Sequence, residues 1–122
     1  MIGYVMLGTN DLPRAARFYD GLLVAFGAKR FLENEREIVW MKPEGGSAIS
    51  VVKPFDGKPA TVGNGVMVAL RMGSPVEVDA LYTIAMNLGA TDEGKPGPRG
   101  DNFYAAYFRD LDGNKLNAFF MG

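Results

Sequence analysis

The chain has 122 residues, the length of one domain, and that is enough to bury a core without disulfide or metal staples. Its 13 basic and 14 acidic residues nearly cancel, which argues against an electrostatic nucleic-acid binder, and no apolar run approaches the roughly 20 residues of a membrane span. There is no Cys and no His, so disulfides, thiolate nucleophiles, Ser-His-Asp and Cys-His mechanisms and His-held metals are excluded, and any metal would need an all-oxygen site.

The opening Met1-Ile2-Gly3-Tyr4 carries neither a charged n-region nor an apolar h-region, so a cytoplasmic location is expected. Ile2 to Gly8 reads as a short buried strand. Asp11 caps a helix over 12–26, with Pro13 in its first turn and Gly27 at its end. Leu12, Ala15, Ala16, Tyr19, Leu22, Leu23 and Phe26 form its apolar stripe. Three strands follow, over 28–33, 38–41 and 47–53. Pro54 to Gly65 holds two Pro and three Gly and reads as a long connector.

The pattern then recurs. Val66 to Met72 is a strand. Ser74-Pro75-Val76-Glu77 is a capping box with Pro at the first helical position. Val78, Leu81, Tyr82, Ala85 and Leu88 are the second stripe, closed by Gly89. A short strand is predicted over 91–93, a Gly-, Pro- and charge-rich loop over 94–102, an aromatic strand over 103–109, a tight turn at 110–114 and a last strand over 115–121. Each half therefore reads strand, helix, three strands. Gly27-Ala28 matches Gly89-Ala90 and Leu7 matches Leu70, an offset of about 62 residues that points to a tandem duplication. The expected organisation is a single domain over 1–122, made of a first module 1–57, a linker 58–65 and a second module 66–122.

Asp110-Leu111-Asp112-Gly113-Asn114 invites a calcium-loop reading, but its Gly is fourth rather than sixth and the twelfth position is Met121. A hairpin turn is the better reading. Gly63-Asn64-Gly65 precedes a strand and lacks a third Gly, so it is not a dinucleotide fingerprint, and the segment 94–100 lacks the spacing of a phosphate loop. Arg99 reads either as a clamp for a carboxylate or phosphate on a loop that closes over a ligand, or, with Asp101, as a solvated ion pair. Phe103, Tyr104, Tyr107 and Phe108 alternate across both faces of their strand; one face packs under a helix and the other lines a cavity or core.

Leu7-Gly8-Thr9-Asn10-Asp11-Leu12, Ala16-Arg17-Phe18-Tyr19, the Asn64-Gly65 lead and the run from Gly97 through Asp110-Leu111-Asp112-Gly113-Asn114 to Leu116 resemble the glyoxalase / bleomycin-resistance / extradiol-dioxygenase (vicinal oxygen chelate) superfamily over nearly the whole chain. The resemblance implies an α+β fold of two tandem βαβββ modules forming a cupped, partly open mixed sheet, and a homodimer. The next-best fold is an open barrel of ferredoxin-like type. Metal enzymes of that family carry ligands on the first and last strand of each module, which here fall on Tyr4, Ser50, Met67 and Asn117. His (or Gln) and Glu are usual there, and this sequence departs at all four, so metal-dependent glyoxalase or dioxygenase chemistry is not expected.

What remains is a metal-free, cofactor-free groove for a small-molecule ligand, with Tyr4, Ser50, Met67, Asn117, Arg99 and Tyr107 as candidate lining residues. Met6, Ala69 and Phe119 fall on the same side by alternation. Two other readings stand beside it: a metal-independent lyase or isomerase using Tyr4 or Asp101 as acid or base, and a non-catalytic dimeric interaction module. No catalytic residue is assigned, and neither a nucleic-acid nor a membrane partner is expected.

Overall fold

The structure, a computed structural model, describes residues Met1–Gly122 and builds the same element series twice. The first series is β1 (Tyr4–Gly8), α1 (Leu12–Leu23), β2 (Lys29–Glu33), β3 (Glu37–Met41) and β4 (Ala48–Val52). The second is β5 (Val68–Arg71), α2 (Pro75–Asn87), β6 (Thr91–Pro98), β7 (Phe103–Arg109) and β8 (Lys115–Met121). The sheets have the orders β1-β4-β3-β2 and β5-β8-β7-β6, with the first and last strand of each series parallel and the rest antiparallel. The fold is thus α+β with two mixed four-stranded sheets, as the repeat predicted. No helix is long and apolar enough to cross a membrane.

The chain divides into two compact units, Met1–Val62 and Gly63–Gly122. The connector after β4 is tied back to the start of α1. Asn10 Nδ2 donates to the Ala60 carbonyl at 3.2 Å and the Ala60 N–H donates to Asn10 Oδ1 at 2.7 Å. Ala60 approaches Gly8 so closely that a Cβ there would lie 3.1 Å from the Ala60 Cβ.

In the first unit Asp11 caps α1, its Oδ1 accepting from the Arg14 N–H at 3.1 Å, a contact of about 1 kcal/mol. α1 packs on β2, β3 and β4. Leu12, Ala15, Ala16, Tyr19, Leu22 and Leu23 are buried, as the stripe predicts, and so is Phe18, which the prediction omitted. Phe26 is not buried, because the helix tightens into a 3-10 turn at Val24–Phe26 and its last residues leave the stripe before Gly27 ends it at φ 76°. The other half of this core is Leu7, Ile38, Trp40 and Val51.

A polar cluster closes the edge of that core. Arg30 donates to both Asp20 oxygens, at 3.0 and 2.7 Å, and Trp40 Nε1 donates to Asp20 Oδ1 at 2.9 Å. The Arg30 hydrogen bond is the main reason that the Asp20 carboxyl is held below its ordinary value of 3.8, with burial working against it and Trp40 adding to it. A depressed carboxylate contributes stability that is present above pH 3.8 and lost as the pH falls through the lower folded value. An Asp20→Asn variant is therefore expected to lose less stability than the parent between pH 4 and lower pH, read as a shallower fall of melting temperature.

In the second unit Ser74 Oγ accepts from the Glu77 N–H at 3.2 Å, while the Glu77 carboxylate reaches back to the N–H of Gly73 rather than that of Ser74. α2 packs on β6, β7 and β8. Val78, Leu81 and Ala85 are buried from the helix, and Ala106, Phe108, Leu116 and Ala118 from the sheet; Tyr82 and Leu88 are only half-buried. Tyr82 Oη donates to Asp92 at 2.9 Å and Tyr104 Oη to Asp79 at 2.7 Å, fastening α2 to β6 and β7. β6 is longer than predicted. Thr91–Pro98 pairs with β7 through two register shifts, so most of the expected 94–102 loop is strand. Pro96 and Pro98 are accommodated because β6 is the sheet edge.

Candidate functional site

Each sheet has one face under its helix and one without. Side chains alternate along a strand and paired residues point to the same side, so the ladder registers assign the helix-free faces. In the first unit Leu7, Val51 and Ile38 point toward α1. The row Met6–Ser50–Val39 points away, as do Tyr4, Ala48 and Met41 one pleat further along. Tyr4 and Met6 are exposed, and Ser50 is buried. Ser50 Oγ donates to Glu37 Oε2 at 2.7 Å, so a carboxylate from β3 meets the hydroxyl from β4 on this face.

In the second unit the helix-free rows are Ala69–Asn117–Tyr107–Gly94 and Arg71–Phe119–Ala105–Gly97, with Phe103 beside Met121 beyond them. Aromatic rings and cations gather here. The Arg99 guanidinium lies 5.5 Å from the Tyr107 ring centroid and Lys115 Nζ lies 5.6 Å from it. Arg71 sits 5.7 Å over Phe119, which stacks on Phe103 at 5.5 Å. Arg109 is held by Glu93 at 2.7 Å. Asn117 is 1 % exposed, and its Oδ1 has no hydrogen-bond partner. A buried acceptor left unpartnered costs about 1–3 kcal/mol.

Glycine shapes this surface. Arg99 folds back across β6 and donates to the carbonyls of Lys95, Gly97 and Pro98. A Cβ at Gly94 would lie 3.3 Å from one of its terminal nitrogens, and a Cβ at Gly97 3.1 Å from the other. Side chains at these two positions would push the guanidinium off Tyr107.

Tyr4, Ser50, Met67 and Asn117 do not suit a hard or transition divalent cation. They offer no imidazole, thiolate or carboxylate, and the Ser50 hydroxyl is already committed to Glu37. No group of three His, Cys, Asp or Glu side chains anywhere in the chain could hold an ion. The Asp110-Leu111-Asp112-Gly113-Asn114 segment is a closed turn. Asp110 Oδ1 accepts from the N–H groups of Asp112 and Asn114, and its Oδ2 accepts from Asn114 Nδ2. Two phenols, Tyr82 and Tyr104, are pushed above the ordinary tyrosine value, Tyr82 chiefly by burial and Tyr104 chiefly by its hydrogen bond to Asp79. Neither is poised as a base.

The six candidate residues divide between the units. Tyr4 and Ser50 share the first helix-free face on neighbouring strands, a pleat repeat of roughly 6.7 Å apart along the strand. Asn117 and Tyr107 are direct cross-strand neighbours, and Arg99 joins them through the Tyr107 ring. Met67 stands just before β5, two residues from the Ala69 that pairs with Asn117. Arg99 is not an ion pair with Asp101. Its terminal nitrogens are taken by loop carbonyls, so a preformed bidentate clamp is not offered. Glu37, Arg71 and Lys115 escaped the sequence reading. Alternation from Ile38 and Trp40 as core residues marks Glu37, and Lys115 shares its parity with Asn117.

The chain matches the family model of the Glyoxalase/Bleomycin resistance protein/Dioxygenase superfamily over residues 1–118. Among solved structures it is similar to a glyoxalase/bleomycin resistance protein from Albidiferax ferrireducens T118, at 36 % identity over 100 % of this chain and 99 % of that one, with TM-score 0.91. A glyoxalase-related enzyme from Fulvimarina pelagi shares the fold at 21 % identity and TM-score 0.78, over 98 % and 87 % of the two chains. A lactoylglutathione lyase from Agrobacterium tumefaciens does so at 20 % identity and TM-score 0.74, over 98 % and 92 %. No curated protein matches the sequence.

Proposed function

The chain belongs to the Glyoxalase/Bleomycin resistance protein/Dioxygenase superfamily, and on that premise we propose that it is a homodimeric small-molecule binding protein that works without a metal. The observation that carries this reading is the buried, unpartnered acceptor of Asn117 within an aromatic, cation-bearing sheet face. Small-molecule sites combine apolar surface with a few converging polar groups, and this face has both. The chemistry of the four family metal positions supports the metal-free part.

A melting-temperature screen against neutral, cationic and anionic organic molecules tests it. A ligand at 100 times its Kd stabilises by about 2.7 kcal/mol, and at least one class is expected to give such a shift. Flat melting temperatures across all three classes would contradict the reading and leave the interaction-module alternative. Sedimentation showing two chains per particle supports the dimer, and a single chain contradicts it.

An acid–base enzyme is the second reading. Its specific support is the 2.7 Å contact between Glu37 and Ser50, which places a carboxylate and a hydroxyl together on the face that carries Tyr4. Turnover of a carbonyl or epoxide substrate that is lost in Tyr4→Phe or in Glu37→Gln would favour it.

A further inference from the structure

We propose that the helix-free face of the second sheet takes a small organic anion whose carboxylate or phosphate stands next to a hydroxyl or amide N–H. The inference rests on the small-molecule reading above and names the ligand's chemistry. Two independent features carry it. The first is charge. Arg99 and Lys115 both lie within 6 Å of the Tyr107 ring centroid. Arg71 lies over the neighbouring Phe119.

Three carboxylates of this unit are held by other groups. Glu93 is held by Arg109, Asp92 by Tyr82 and Lys95, and Asp79 by Tyr104. None of Arg71, Arg99 and Lys115 is in an ion pair with a carboxylate, so an anion on this face would meet cations that the protein does not itself neutralise. Their roles differ. Arg99 gives its terminal N–H groups to carbonyls and supplies a fixed positive field. Lys115 makes no ion pair with the protein, and its ammonium offers three donors for direct contact.

The second feature is Asn117 Oδ1, a buried acceptor with no partner. It calls for a donor, and beside these cations that donor belongs to a neutral group rather than an ammonium. The χ2 preference of Asn is broad, so a turn of the amide presents the oxygen outward. Phe119 and Tyr107 supply flat surface for an apolar body.

Mandelate has the required pattern: a carboxylate, an adjacent hydroxyl and a phenyl ring. Phenylacetate lacks the hydroxyl, and methyl mandelate lacks the charge. We would titrate the three into the isotope-labelled full chain and its Lys115→Gln variant and follow amide and side-chain resonances. The expected result is movement at Tyr107, Lys115 and the Asn117 side-chain amide with mandelate. Binding of phenylacetate and of methyl mandelate is expected to be several-fold weaker. Lys115→Gln is expected to weaken mandelate about tenfold while leaving methyl mandelate binding and the far-ultraviolet circular dichroism unchanged. Equal binding of mandelate and methyl mandelate, or an unaffected Lys115→Gln, would overturn the anion inference and leave the small-molecule reading standing. Silence of this face toward mandelate up to about 10 mM also overturns it, whereas the small-molecule reading fails only when the broader melting screen is flat.

Discussion

Replacing Trp40 with alanine is expected to destabilise the first unit by about 3–5 kcal/mol. Trp40 is 2 % exposed and is the chain's only tryptophan. Its ring lies 5.6 Å from Tyr19 of α1, so truncation opens a cavity where the helix meets the sheet. It also removes the Nε1–H donated to Asp20. Trp40→Phe separates the two losses. It keeps an aromatic ring, leaves Asp20 its Arg30 partner, and is expected to cost about 1–2 kcal/mol. Denaturant unfolding followed by circular dichroism reads both variants, since the fluorescence probe is gone. A loss under about 1 kcal/mol for Trp40→Ala would mean that α1 does not pack on β3 as described.

Asp110→Ala is the second large effect, expected at about 2–4 kcal/mol. The carboxylate organises the β7–β8 turn from inside, accepting from two backbone N–H groups and from the Asn114 amide, each at 2.9 Å. Asp110 and Asn114 are both buried, so alanine leaves donors without water or a partner to replace the oxygens. Asp101→Ala is the control. Asp101 is exposed, and its loss is expected to stay within about 0.5 kcal/mol. Equal effects at the two positions, in the same unfolding experiment, would show that the turn does not depend on the internal carboxylate.

Local signals carried most of the fold. Asp11 and Ser74 with a following Pro mark both helix starts, and the repeated strand–helix–three-strand order gives the two matching sheets. The predicted limits missed where tertiary context overrides composition. β6 runs through Gly94–Pro98 because an edge strand tolerates missing N–H groups, a fact about neighbours that residue types do not record. Phe18 entered the core although its helical angle lies about 40° beyond Leu22, so the buried face of α1 is wider than the stripe read from the sequence.

The candidate faces were legible in part. Ser50 and Asn117 could be placed by the repeat, and alternation added Met6, Ala69 and Phe119. The partnership of Ser50 with Glu37 was not visible, because it crosses strands whose register no local pattern fixes. The same holds for Lys115 over Tyr107. The posture of Arg99 depends on the space left by Gly94 and Gly97, which shows only once β6 is seen to pass beneath it.

The chain keeps the superfamily's fold, and the proposal that it binds without the superfamily's metal has a direct test. Metal content of the purified full chain, measured together with its melting temperature under added Mn²⁺, Ni²⁺, Zn²⁺ and Fe²⁺, tests it most directly. A site that held an ion in the native state would raise the melting temperature by mass action. Metal-free binding predicts substoichiometric metal and no shift with any of the four ions. Stoichiometric metal with a clear upward shift would contradict it and return a metalloenzyme to first place.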